Sequence, residues 1–201
     1  MEFPGFRITV SPSSKKRAHI SRYETIIATL VGVSAVFVSG YAAYVQRQQV
    51  RAAVWPILQY DTSDEQMIRF SRHNKGFGPA VIRHVTIRVD GHPVRNWNEA
   101  FQRLVGPGKY KFSGSSMKGH VLSAGEGMDV LVPHNPDGTQ LKIETAGPLW
   151  SRLNKDRYRV EVEICYCSTL GECWTLRSDS KTNSTTEASS CDADPATAFQ
   201  Q

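Results

Sequence analysis

Tyr158-Arg-Val-Glu-Val-Glu-Ile-Cys-Tyr-Cys-Ser-Thr-Leu-Gly-Glu-Cys-Trp-Thr-Leu-Arg177 carries the least ambiguous pattern in the chain. Tyr158, Val160, Val162, Ile164 and Tyr166 alternate with Arg159, Glu161, Glu163, Cys165 and Cys167. A period of two marks a half-buried strand. Ser168–Glu172, with Gly171 inside it, is short enough for a hairpin loop, and Cys173–Arg177 returns as the partner strand. That loop length sets Cys167 opposite Cys173, Tyr166 opposite Trp174 and Cys165 opposite Thr175.

The same hairpin frames the cysteine question. All four cysteines lie between positions 165 and 191. Facing strand residues hold their Cβ atoms roughly 4.5–5.5 Å apart, and a disulfide needs about 3.5–4.5 Å, so only a close pair qualifies. The facing pair Cys167 and Cys173 is preferred for a disulfide. Cys165 shares their face and is an alternative partner for Cys173 or for Cys191. A second reading makes Cys165, Cys167 and Cys173 a thiolate metal cluster with a histidine as fourth ligand. Zinc sites more often use C-x-x-C pairs, so this reading is the weaker, and no metal or cofactor is expected. A redox dithiol would usually be C-x-x-C, which is absent.

Working outward, Val81–Val89 also alternates, with Val81, Val85, Ile87 and Val89 on one face and His84, Thr86 and Arg88 on the other. Arg83 falls on the apolar face as an exception. Asp90-Gly91 supplies a turn. Asn96 is a candidate N-cap for a short helix to Val105. Weaker strands are expected at Met67–His73, Lys109–Phe112, His120–Leu122, Met128–Val132 and Leu141–Thr145, and a helical turn at Pro148–Leu153. About seven short strands with turns between them imply a mainly β domain, a β-sandwich with short helices on its connections.

Thr25–Val45 is different in kind: apolar, uncharged, and about 30 Å long as a helix, the thickness of a bilayer's hydrocarbon core. A lone segment in lipid satisfies its backbone only as a helix. Arg7, Lys15, Lys16, Arg17 and Arg22 precede it, against Glu2 and Glu24, and only Arg47 and Arg51 closely follow. Positive flanks stay in the cytoplasm, so the expected topology is N-terminus cytoplasmic and C-terminal domain periplasmic, across an inner membrane. The rival reading is a signal peptide cleaved near Gly40-Tyr41-Ala42, but its apolar core should be shorter. Ala28, Gly32, Ala35, Ser39 and Ala42 form one stripe of small residues, continued by Gln46, Gln49 and Ala53. Such a stripe suits close helix packing, hence a protein partner or a homo-oligomer through the helix.

The expected division is a disordered basic tail at 1–22, the spanning helix and its stub at 23–53, the β domain at 54–177 and a disordered tail at 178–201. More than half of the net charge of +5 sits in the first tail, so the domain is nearly balanced. No basic face interleaved with aromatics points to nucleic acid.

Asn74-Lys-Gly-Phe-Gly-Pro-Ala80 joins two strands. Asn74, Gly76, Phe77, Gly78 and Pro79 read either as a tight strand connection or as a partner loop, and the turn chemistry favours the connection. Together, Asn74–Ile82 and Ile164-Cys-Tyr-Cys-Ser-Thr-Leu-Gly-Glu-Cys-Trp174 resemble a group of uncharacterised bacterial proteins. Those have one N-terminal spanning helix and an envelope-facing β domain. The Asn-x-Gly-x-Gly-Pro-Ala element also resembles sandwich modules of the immunoglobulin type. The resemblance implies topology and fold, with no activity attached.

No G-x-S-x-G, HExxH, phosphate-binding glycine loop or paired-carboxylate spacing occurs, so no catalytic residue is assigned. The leading expectation is a non-enzymatic, membrane-anchored binding or assembly module. The alternative is an envelope thiol or metal protein, and a membrane-anchored hydrolase ranks below both.

Overall fold

The computed structural model describes residues 22–143, 147–179, 182–192 and 197–200. Apart from Arg22, the basic tail at 1–22 lies outside the described residues.

The first helix, α1 (Arg22–Ala53), is continuous, and no residue on it is buried. It is long and apolar enough to cross a membrane. Thr29 Oγ1 donates to Thr25 O and Ser34 Oγ to Val31 O, each at 2.8 Å, so both hydroxyls are satisfied inside the helix. Pro56 has no N–H to continue the ladder, and the helix ends before it.

Residues 47–201 form a separate compact unit. In chain order its elements are β1 (Leu58–Ser63), β2 (Arg69–Asn74), β3 (Ala80–Val89), β4 (His92–Val94), α2 (Trp97–Val105), β5 (Lys111–Ser113), β6 (Val121–Leu122), β7 (Gly127–His134), α3 (Pro148–Asp156), β8 (Val160–Cys167), β9 (Cys173–Asp179) and β10 (Thr182–Ala188). One sheet runs β1-β2-β7-β5. The other runs β10-β9-β8-β3-β4, with β6 also on β3. Among the described residues every strand pairing is antiparallel. Of the segment 141–145, Leu141–Ile143 are described and form no strand, only an isolated bridge from Lys142 to Met67, although Leu141 is buried in the core.

Both sheets feed one core. Leu58, Tyr60 and Phe70 from the first meet Ile82, Val85, Val162, Ile164 and Tyr166 from the second. Trp97, Ala100, Phe101, Leu104 and Val105 make a stripe at helical spacing that turns α2 into the same core. Asn96 caps α2, its Oδ1 accepting from Glu99 N at 3.0 Å. Asp90 (φ 53) and Gly91 (φ 74) both adopt the left-handed conformation that a two-residue hairpin turn demands.

Arg72, on β2, is wholly buried. Its guanidinium donates to Met117 O and Ser116 O, each at 3.0 Å, pinning that segment over the first sheet. Burial pulls its pKa down to about 10, which still leaves it charged at neutral pH.

Two sequence expectations need correction. The first is the phase of β3. Ile82 pairs with Tyr166 and His84 with Cys165, so Arg83 is an extra residue in a bulge. A bulge reverses the alternation. Ala80 and Ile82 face the core before it, and Val85, Ile87 and Val89 after it, while Val81 is only half-buried. Arg83 stands exposed at the kink and not on an apolar face.

The second correction is the domain's end. The composition of 178–201 predicts a disordered tail. Thr182–Ala188 instead pairs along all of β9, from Thr182 opposite Asp179 to Ala188 opposite Cys173. Its polar side chains are nearly all exposed, so it carries no apolar period, and backbone pairing alone makes it a strand. The Asn183 side chain bonds both backbone groups of Tyr60 (3.3 and 3.0 Å), closing the outer edge of β1. Phe199 is 3% exposed and packs edge-on against Trp97, with 5.1 Å between ring centroids. Its N–H donates to Val85 O at 3.0 Å, on the edge of β3 between β6 and β4.

A fragment of residues 54–177 should therefore lose the cooperative urea transition that a 54–201 fragment shows. Phe199→Ala alone should cost about 3–5 kcal/mol, the usual range for truncating a buried aromatic, seen as a lower urea midpoint at unchanged slope.

Candidate functional site

The hairpin of β8 and β9 builds the densest cluster of reactive side chains. Its loop is fixed by Ser168, whose Oγ accepts from Leu170 N (3.2 Å) and Glu172 N (3.3 Å). Gly171 takes φ 82 and donates to Ser168 O. The register follows the loop length: Cys167 faces Cys173, Tyr166 faces Trp174 and Cys165 faces Thr175. Tyr166 and Trp174 meet on the core side, 5.9 Å between centroids.

All four cysteines are bonded. Cys167 joins Cys173, and Cys165 joins Cys191. The second bond lays the 190–192 segment over the outer face of β8, which is why Cys165 and Cys167 are 7% and 5% exposed where the sequence placed a polar face. The sequence offers Cys191 only as an alternative partner. No local pattern marks it, because its neighbours are Ser and Asp without periodicity. The two bonds lie side by side. Cys167 Sγ and Cys191 Sγ are 3.7 Å apart. The sulfurs of Cys167, Cys173 and Cys191 fall within 4.8 Å of one another. As thiolates this trio, and not Cys165 with Cys167 and Cys173, is the one placed to hold a soft metal. As disulfides they hold none.

The loop between β2 and β3 is a second feature. Asn74 is fully buried. Its Oδ1 accepts from Ile57 N (3.2 Å) and Gly76 N (3.0 Å). Its Nδ2 donates to Gly78 O (2.8 Å), Leu122 O and Ser123 O (both 3.1 Å). Phe77 N and Gly78 N donate to Trp55 O. A Cβ on Gly76 would collide with Trp55 O, and one on Gly78 with Val54 O. These glycines exist so that two backbones can touch. Pro79 is half-buried, and Phe77 projects from the apex, 80% exposed. Trp55 (50% exposed) and Ile57 (45%) flank the same contact, and Trp55 stacks on Trp174 at 6.2 Å.

The small-residue stripe of Ala28, Gly32, Ala35, Ser39 and Ala42 is exposed along its length, and a Cβ on Gly32 would meet nothing within 4 Å.

Asn74→Asp tests the network. The change puts a carboxylate oxygen opposite three carbonyls and removes both donors from a site without water access. It should destabilise the domain by roughly 3 kcal/mol or more, the range for a buried unpaired charge, with the loss easing at acid pH as the carboxyl protonates. Urea unfolding at two pH values measures it.

Comparison with known proteins finds no matching family model, no matching curated protein and no matching solved structure.

Proposed function

We propose that this chain is a single-pass protein of the inner membrane. In this reading its N-terminus is cytoplasmic, and its β domain is an immunoglobulin-like sandwich that serves in the periplasm as a non-enzymatic binding or assembly module. The observation that carries the binding role is Phe77. A large apolar side chain, 80% exposed, sits at the apex of a loop that Asn74 holds rigid. An exposed aromatic whose backbone is already ordered costs little entropy on association, which is the profile of an interface anchor. Trp55 and Ile57 extend the apolar ridge beside it. The partner is a protein, and the exposed stripe on α1 offers a further contact within the bilayer.

Two observations support the compartment. The helix α1 has the length and apolarity of a membrane span. All four cysteines of the chain are paired, a state that persists in oxidising compartments. The resemblance of the Asn74–Ile82 and Ile164–Trp174 elements to envelope-facing bacterial proteins agrees with both.

A second reading rests on one observation, the three sulfurs within 4.8 Å of one another. If these cysteines were reduced in the native envelope, Cys167, Cys173 and Cys191 would make a thiol or metal site. Free-thiol counting on protein taken directly from the membrane separates the two, with no free thiol expected.

Two experiments test the main reading. A photo-crosslinking residue at position 77 of the full-length chain in its membrane should give a discrete protein adduct, and one at the exposed position 118 should not. Equal labelling at both positions removes the anchor role. Reporters fused after Gln201 should be active only when the reporter requires the periplasm, and the reverse result inverts the topology.

A further inference from the structure

We infer that the two neighbouring disulfides form a thiol–disulfide exchange site whose substrate is a solvent thiol. Reduction entering at Cys173 is passed through Cys167 to Cys191 and leaves at Cys165. The proposal goes beyond both readings above, since it needs neither a partner at Phe77 nor resting thiols.

Exchange proceeds by attack of a thiolate on a disulfide sulfur, with the other sulfur leaving. Access sets the entry point. Cys165 and Cys167 are almost fully buried, whereas Cys173 and Cys191 are half-buried, and the Cys173 sulfur sits against Gly171 O (3.5 Å) in an exposed part of the loop. A monothiolate from solution therefore attacks Cys173 Sγ. A mixed disulfide forms there, the Cys167–Cys173 bond breaks, and its electron pair departs on Cys167 Sγ.

That new thiolate is already 3.7 Å from Cys191 Sγ. It attacks Cys191, the Cys167–Cys191 bond forms, the Cys165–Cys191 bond breaks, and the electron pair leaves on Cys165 Sγ. The leaving sulfur is provided for: the Thr175 hydroxyl donates to Cys165 Sγ at 3.6 Å. A hydrogen bond to the departing thiolate lowers its basicity and makes it a better leaving group. A second monothiol attacks the outer sulfur of the mixed disulfide and frees Cys173. The sum is two monothiols oxidised to their disulfide and one protein disulfide reduced to the thiols of Cys165 and Cys173. Cys191 is covalently held to β8 at each end of the exchange, first through Cys165 and then through Cys167. The segment after β10 is never released.

The test uses the full-length chain in detergent with limiting reduced glutathione, acid quenching, alkylation and non-reducing peptide mapping. The expected map has glutathione on Cys173, the alkyl label on Cys165 and a new Cys167–Cys191 peptide. Label on Cys167 with Cys165–Cys191 intact overturns the proposal. Two variants give the same decision without added thiol. In Cys173→Ser the label should divide between Cys167 and Cys165. In Cys165→Ser it should divide between Cys191 and Cys173. Either variant that keeps its strand circular dichroism suffices. Label confined to the sulfur that the substitution left unpaired, Cys167 in the first and Cys191 in the second, also overturns the inference.

Discussion

The carboxamide of Asn74 ties together stretches of chain that are far apart in sequence. One oxygen takes the N–H groups of Ile57 and Gly76, and one nitrogen serves the carbonyls of Gly78, Leu122 and Ser123. Its own backbone bonds Glu126 O and receives Gly125 N. Buried backbone groups that find no partner cost as much as lost hydrogen bonds. Here the chain leaving α1, the β2–β3 loop and the β6–β7 connection all meet where strands end and ladder partners run out. A side chain of this length with an acceptor and a donor pair at its tip satisfies all three at once. Asp lacks the donors, Ser lacks the reach, and Leu has the reach but neither donor nor acceptor.

From that knot the rest follows by packing. Lys75 N donates to Ile57 O at 2.7 Å, and Phe77 N donates to Trp55 O at 3.0 Å. Residues 55–57 are thereby built into the β domain. Trp55 reaches Trp174, Trp174 reaches Tyr166, and the Tyr166 hydroxyl oxygen accepts from Leu58 N at the start of β1. The cysteine hairpin and the Phe77 loop are thus supported from one side by the same aromatic row. The two candidate sites share a foundation although their chemistry differs.

Much of this was legible because it is local. The five-residue loop after Cys167 fixed the register of the cysteine hairpin, the Asp90-Gly91 pair fixed the turn after β3, and Asn96 fixed the start of α2. What escaped depends on distant residues. Nothing near Arg83 says that the strand should bulge there; the sign is that one charged residue interrupts an apolar face, which was noted as an exception and not read as an insertion. In Thr182–Ala188 the exposed Thr and Ser side chains carry no period, because the strand is held by its backbone to β9 and not by burial. Phe199 is the one large apolar residue of its stretch and carries no period, so only its seat beside Val85 and Trp97 explains it. The Asn74 loop was read from its glycines as a connection, and that is what the close approach to Val54 and Trp55 makes it. The exposure of Phe77 is a separate property that turn chemistry does not report.

The place of Phe199 bears on when this domain can form during synthesis. Strand β3 appears early, and its partner β8 is made only after the α2, β7 and α3 segments. Its opposite edge at Val85 is completed by a residue that leaves the ribosome later still, after Cys191. At translation rates of about 5–20 residues per second, the interval between Val85 and Phe199 is several seconds at least. Through that time β3 is an apolar strand with an open edge, and Cys165 has no partner from the tail. The nascent chain is therefore committed to a long vulnerable period, and closure is an event of the finished C-terminal segment.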